Sequence, residues 1–184
     1  MTISTWKWTV DRYHQAVEAG VFDDVQVELL KGELVEISPE GIPHAGLSSD
    51  AGDYLRDRLG SRAKVREGHP ITLPNNSEPE PDLVIVEPLG EVYITGHHPY
   101  PENIFWIIEY SNTSLQKDLE IKSKVYAEAG IREYWVINLK TRELNIFRDA
   151  VNGEYQHQVV LTDGRVNPLA FPEVEVEVAR LLRR

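Results

Sequence analysis

Apolar and polar positions alternate and cluster along the chain in a way that divides it into successive elements. Residues 8–20 are amphipathic at helical spacing, with Tyr13, Ala16 and Val17 inward, Asp11 placed to start the helix and Gly20 to stop it. Residues 25–38 read VQVELLKGELVEIS, two alternating runs about Lys31-Gly32. That pattern predicts a β-hairpin with glycine in the turn and Val27, Leu29, Leu34 and Ile37 in the core. Pro43 opens a second helix, which continues through Ala45, Leu47, Tyr54, Leu55 and Leu59 to Gly60, with proline at the start and glycine at the end.

Three strand-like segments follow, at 63–73, 81–86 and 104–110, separated by polar or proline-rich connections at 75–80 and 87–102. DLVIV and FWIIEY are nearly all apolar, as central strands are. Residues 114–129 form a helix closed by Gly130, with strands expected at 133–138 and 144–148. Strand, helix and strand in that order predict a crossover between parallel neighbours. The tail adds a strand-like piece at 158–161, a proline-containing loop at 167–172 and a short helical end. The fold class expected is α/β with α+β character: a mixed, partly parallel sheet flanked by helices, in one domain spanning 1–184.

With 184 residues and 41% hydrophobic content, the chain can bury a core without covalent staples. It has no cysteine, which excludes a disulfide framework and a thiolate zinc site. Residues 1–10 carry neither a basic leader nor an apolar core, and no apolar run approaches the roughly 18 to 20 residues of a membrane span. A cytoplasmic protein with no membrane contact is expected. The net charge of −11 argues against constitutively tight binding of nucleic acid. Arg56, Arg58, Arg62, Lys64 and Arg66 nevertheless share one stretch, whose plain expectation is a solvated helix face plus a strand edge.

The chemistry concentrates elsewhere. In Glu78-Pro79-Glu80-Pro81-Asp82 a carboxylate stands at the mouth of a buried strand, and the proline before it fixes the backbone. Glu109 sits in an apolar strand, where an ionised carboxylate is costly unless paired or metal-bound. In the helix that follows, Leu115, Leu119, Lys122, Tyr126 and Ala129 fall on one face, so Lys122 points where the core residues point. Asp118, four residues earlier, offers it a local surface partner instead. Two carboxylates and a lysine are the means of phosphodiester hydrolysis: the acids hold a hard divalent cation, and the lysine positions water and offsets charge. The adjacent His97 and His98 lack the spacing of a helical metal site, and Tyr126, Tyr134 and Trp135 are expected as core aromatics. There is no Gly-x-Ser-x-Gly elbow, no phosphate-cradling Gly-rich loop with Lys-Ser/Thr and no His-Glu-x-x-His helix, which removes the serine hydrolase, NTPase and zincin classes.

EPEPD at 78–82, IIEYS at 107–111, DLEIK at 118–122 and YAEAGIREYWVIN at 126–138 resemble the Uma-two family of restriction-endonuclease-like proteins. VELLKGELVEISP at 27–39, His44 and FPEVEVEVARLL at 171–182 extend the likeness over nearly the whole chain. The resemblance implies a PD-(D/E)XK nuclease fold, with Pro81-Asp82 as its PD half and Glu109 as its second acid. It implies Mg²⁺ or Mn²⁺ held by Asp82, Glu109 and Tyr110, and catalytic roles for Asp82, Glu109, Lys122, Glu33 and His44. Glu33 would complete the acidic cluster; His44 would act as a base or contact phosphate. The chain departs from the superfamily pattern at Ser111, where a lysine is expected, and Lys122 would replace it. Nucleic acid, DNA foremost, is the implied partner, and a homodimer suits the two-fold symmetry of duplex DNA. The alternative is a degenerate nuclease fold serving as a nucleic-acid or protein binding module, to which the net charge and Ser111 both point.

Overall fold

The computed structural model describes residues 5–183. The first element is α1 (Val10–Glu18), capped by the Thr9 side chain, which accepts from the Arg12 N–H, rather than started by Asp11. Tyr13 and Ala16 are buried while Val17, expected inward, is exposed. The hairpin forms from β1 (Val27–Leu30) and β2 (Glu33–Glu36) in antiparallel register, but of its expected core residues only Leu29 is buried, while Val27, Leu34 and Ile37 are half-buried. Lys31 and Gly32 have φ of +51° and +77°, a two-residue turn whose twist matches that of the strands. A Cβ on Gly32 would come within 2.8 Å of the Trp8 carbonyl oxygen, so glycine is required there for space as well as for conformation.

Next comes α2 (Ile42–Leu59), with proline in its first turn and Gly60 beyond its end. The strand expected over 63–73 is only β3 (Lys64–Glu67), because Gly68, with φ of +56°, breaks the extended backbone and Pro70 follows. Then come β4 (Leu83–Val86), a short helix α3 (Val92–Thr95) and β5 (Ile104–Ser111). The helix after β5 opens as a π-helical segment, Lys117–Lys122, and continues as α4 (Ser123–Glu128). It delivers the chain to β6 (Glu133–Asn138), β7 (Glu143–Val151) and β8 (Glu154–Leu161). The tail holds β9 (Arg165–Val166), β10 (Val176–Glu177) and α5 (Val178–Leu182).

Strands β3 to β8 lie in chain order in one six-stranded sheet, antiparallel throughout except for β5 beside β6. That parallel pair is the predicted crossover, with α4 as its connection. The sheet is mixed and mostly antiparallel, and helices cover both faces.

The pleat of β5 sorts its side chains between two cores. Trp106, Ile108 and Tyr110 pack with residues of α2 and α5, while Ile107 packs with Val125 and Tyr126 of α4. Glu109 and Ser111 share the parity of Ile107, so both side chains belong to the α4 side. Each large apolar side chain buried here contributes roughly 1.5–3 kcal/mol, and the sheet centre is thereby rigid enough to hold charged groups in fixed places. Among the described residues no helix is long and apolar enough to cross a membrane. The basic stretch is largely neutralised: Arg56 pairs with Asp53 and Glu67, Arg62 with Glu173, and Arg66 is buried with its guanidinium over the Tyr93 ring.

Candidate active site

At the C-terminal end of β5 the chain gathers buried acids and lysines from separate elements. Asp82 lies immediately before β4, beside Glu109 in the antiparallel neighbour β5. Its Oδ2 accepts from the Tyr110 N–H at 2.5 Å, and its own N–H points at Glu109 Oε2 at 3.4 Å. The two acids are therefore fixed by the sheet backbone itself. Lys122 reaches down from the helix, and its Nζ donates to Glu109 Oε1 at 2.8 Å with both groups about 95% buried. The Tyr126 hydroxyl donates to the same oxygen at 2.9 Å. The inward face read from the sequence is thus the observed one: Lys122, Tyr126 and Ala129 are buried, and Leu115 and Leu119 pack against the same core.

The sequence did not single out Glu28. On β1 and only 1% exposed, it lies 3.1 Å from Lys122 and 2.9 Å from Lys117. Burial alone would raise its pKa, but Lys122 and then Lys117 hold it below the ordinary carboxylate value. Glu28 fills the place expected for Glu33. Glu33 sits across the hairpin turn, exposed and ion-paired with Lys7, so it does not reach the acidic cluster.

His44 does join the site: from the first turn of α2 its Nε2 lies 3.1 Å from Asp82 Oδ2, and Glu40 lies 3.2 Å from its Nδ1. Burial pulls its pKa down, yet Asp82 and then Glu40 outweigh that and push it up to about 9. That shift favours the protonated ring, which suits a phosphate contact. Glu40, His44 and Asp82 also bring one ligand-type atom each within 4.8 Å of one another.

Tyr110 turns its side chain away. The ring is buried on the α2 side, and the hydroxyl donates to the Leu181 carbonyl at 3.2 Å, which leaves its main-chain carbonyl as its means of holding a cation. Ser111, at the position where a lysine was expected, donates to Asp118 at 2.8 Å, and both are buried. Asp118 is therefore an anchor for the helix rather than the surface partner of Lys122.

The electrostatics are lopsided. Glu28, Glu80, Asp82, Glu109 and Asp118 face Lys117, Lys122 and His44. Burial raises the pKa of Glu109, opposed by Lys122 and reinforced by Asp82, Asp118 and Glu28. Lys122 keeps its proton because Glu109 and Glu28 outweigh its own burial. Lys117 and Lys122 both face Glu28, and Lys122 alone faces Glu109, so the two ammoniums do not neutralise the whole group of acids. Such a cluster either retains a proton or takes up a cation, and the oxygen donors of Asp82 and Glu109 suit a hard divalent ion.

The sheet, its crossover and its flanking helices make this a restriction-endonuclease-like fold. The chain belongs to the Uma2 family, described as "Putative restriction endonuclease", which matches residues 10–179. Among solved structures it is similar to one described as a putative nuclease belonging to DUF820 from Anabaena variabilis. The two share 16% identity with a TM-score of 0.70, over 87% of this chain and 91% of that one, which shows a shared fold. No curated protein matches.

Proposed function

We propose that the chain is a metal-dependent nuclease that hydrolyses phosphodiester bonds of DNA, with Mg²⁺ or Mn²⁺ as the cation, and that it works as a homodimer. The observation that carries this is the convergence of Asp82, Glu109 and Lys122, from three separate segments, in a buried cluster where carboxylates outnumber cations. Asp82, Glu109 and the Tyr110 main-chain carbonyl are the donors for the ion. When bound, it supplies Lewis-acid stabilisation of phosphate charge and a lowered pKa for water. Lys122, desolvated and still protonated, donates hydrogen bonds to the attacking water and to developing phosphate charge. Tyr126 and Glu28 hold the lysine and Glu109 in register. His44, with its protonated ring favoured, offers a second positive donor to a phosphate oxygen.

A binding or regulatory module on a degenerate site is the second reading. It is favoured by the basic stretch, whose Arg56 and Arg62 are engaged by Asp53, Glu67 and Glu173 rather than presented to phosphate. The absent lysine at Ser111 no longer favours it, since Lys122 supplies the ammonium and Ser111 has Asp118 as a partner.

The test is incubation of purified protein with supercoiled plasmid in Mg²⁺ and in Mn²⁺. Nicking or linearisation is expected from the wild type and not from Glu109→Gln with an unchanged circular dichroism spectrum. Intact plasmid under both cations, with Mn²⁺ demonstrably bound, would hand the case to the binding module.

A further inference from the structure

A second constellation lies outside the carboxylate–lysine cluster. His14 of α1, Glu78 of the segment leading to Asp82, and His98 of the connection between β4 and β5 each bring one ligand-type atom within 4.8 Å of the others. His14 Nε2 lies 2.7 and 2.8 Å from the two oxygens of Glu78, and the rings of His14 and His98 meet edge to face with centroids 6.2 Å apart. Glu78 is 3% exposed. Its main chain is locked by a two-way backbone pairing with Leu29, and the Thr72 hydroxyl donates to its Oε2 at 2.7 Å. The carboxylate is thus oriented by the fold, as metal-ligating carboxylates are by their supporting hydrogen bonds.

We propose that His14, Glu78 and His98 form a binding site for a divalent transition cation of the zinc class, separate from the Asp82–Glu109 centre. Two imidazoles and one carboxylate are a donor set for zinc, cobalt or ferrous iron, whereas magnesium takes oxygen donors. The His14 side chain is 42% exposed, so solvent has access to the position left by three protein ligands. Arg66, a cation that acts on His98, has its guanidinium over the Tyr93 ring. Occupancy would also reach the nuclease centre mechanically. Glu78 and Asp82 are joined by Pro79-Glu80-Pro81, and two prolines with fixed φ make that link stiff. The cation would clamp α1 and the 96–100 connection onto the segment that places Asp82.

The experiment uses the full chain without a histidine tag, stripped with EDTA, titrated with Co²⁺ while the visible ligand-field band is recorded and with Zn²⁺ by calorimetry. Wild type and Asp82→Asn are both expected to show the band, and Asp82→Asn, with the Asp82–Glu109 centre disabled, is expected to bind one equivalent. His14→Ala and His98→Ala, with circular dichroism as the fold control, are expected to lose the band and at least about tenfold in Zn²⁺ affinity. His14 is exposed enough that its replacement leaves the fold intact even if His98→Ala does not. Absence of a band in wild type, or a band that survives in His14→Ala, overturns the proposal. A band lost only in Asp82→Asn overturns it too, because the cation then sits at Glu40, His44 and Asp82. None of these outcomes depends on cleavage of DNA, so failure here and failure of the nuclease reading are separately visible.

Discussion

Lys117 and Lys122, five residues apart, both place their ammonium groups on the one carboxylate of Glu28, at 2.9 and 3.1 Å. In an α-helix, side chains three and four apart are neighbours and a spacing of five diverges. The π-helical segment Lys117–Lys122, with its i to i+5 hydrogen bonding, brings that spacing onto one side. The wider turn is thus a device for delivering two cations to a single buried acid, while Lys122 also serves Glu109.

This arrangement makes the two lysines unequal. Lys122→Met would leave Glu28 and Glu109 buried beside each other with no shared counter-charge, and a loss of about 3 kcal/mol is expected. Lys117 is partly exposed and its removal leaves Lys122 in place, so Lys117→Met should cost about 1 kcal/mol or less. Urea denaturation of both variants at neutral pH reads the difference, and equal losses would mean that Glu28 does not depend on the π-helical placement of Lys122.

The acid limb of stability is expected to run through Glu28. Its pKa is lowered in the folded protein, so it contributes stability that is present above its ordinary value of 4.5 and lost as pH falls through the folded value. Wild type should therefore lose stability below about pH 4.5 more steeply than Glu28→Gln, which has no proton to take up there. Urea midpoints measured across the acid range compare the two, and parallel profiles would contradict the placement of Glu28 between Lys117 and Lys122.

Cation binding should depend on both Asp82 and Glu109. Mn²⁺ calorimetry is expected to give binding in wild type and none in Asp82→Ala or Glu109→Ala. At a hundredfold excess over Kd, Mn²⁺ should stabilise the wild type by about 2.7 kcal/mol and leave both variants unmoved. Binding that persists in Glu109→Ala and disappears in His44→Ala would move the cation to the Glu40, His44 and Asp82 group.

Much of this was legible in the sequence, and the exceptions share a physical cause. Asp82, Glu109 and the inward face of Lys122 follow from strand position and helical spacing, and the structure brings all three together. Glu28 escaped because alternation in VQVELL puts it on the face opposite Val27 and Leu29, which reads as solvent. In the structure Glu28, Leu29 and Leu30 are all buried, so β1 is covered on both faces and alternation carries no information about which side is wet. Glu33 has the same residue type and neighbours on the other side of the turn, and only tertiary placement distinguishes the two. The π-helical turn has no compositional signature in KDLEIK, and His98 was set aside for lacking helical metal-site spacing with His97, since His14 and Glu78, which the fold brings beside it, are remote in sequence.

Ser111 gives the sharpest test of how this site is built. It lies two residues after Glu109 on the same strand, so the pleat puts both side chains on the α4 side of the sheet. A lysine at 111 would start from the strand and one at 122 starts from the helix, yet both approach the same acids. Ser111→Lys alone should destabilise, because a larger cationic side chain must enter a fully buried place. Asp118 already faces that position and offers it a carboxylate partner. Paired with Lys122→Met, which vacates space and removes one positive charge, the same substitution should be better tolerated than in the wild-type background. The expected result is a non-additive cycle: the double variant recovers stability relative to the sum of the single ones and regains plasmid cleavage that Lys122→Met has lost. Additive losses with no cleavage in the double variant would show that the ammonium is needed at the place that only the helix reaches.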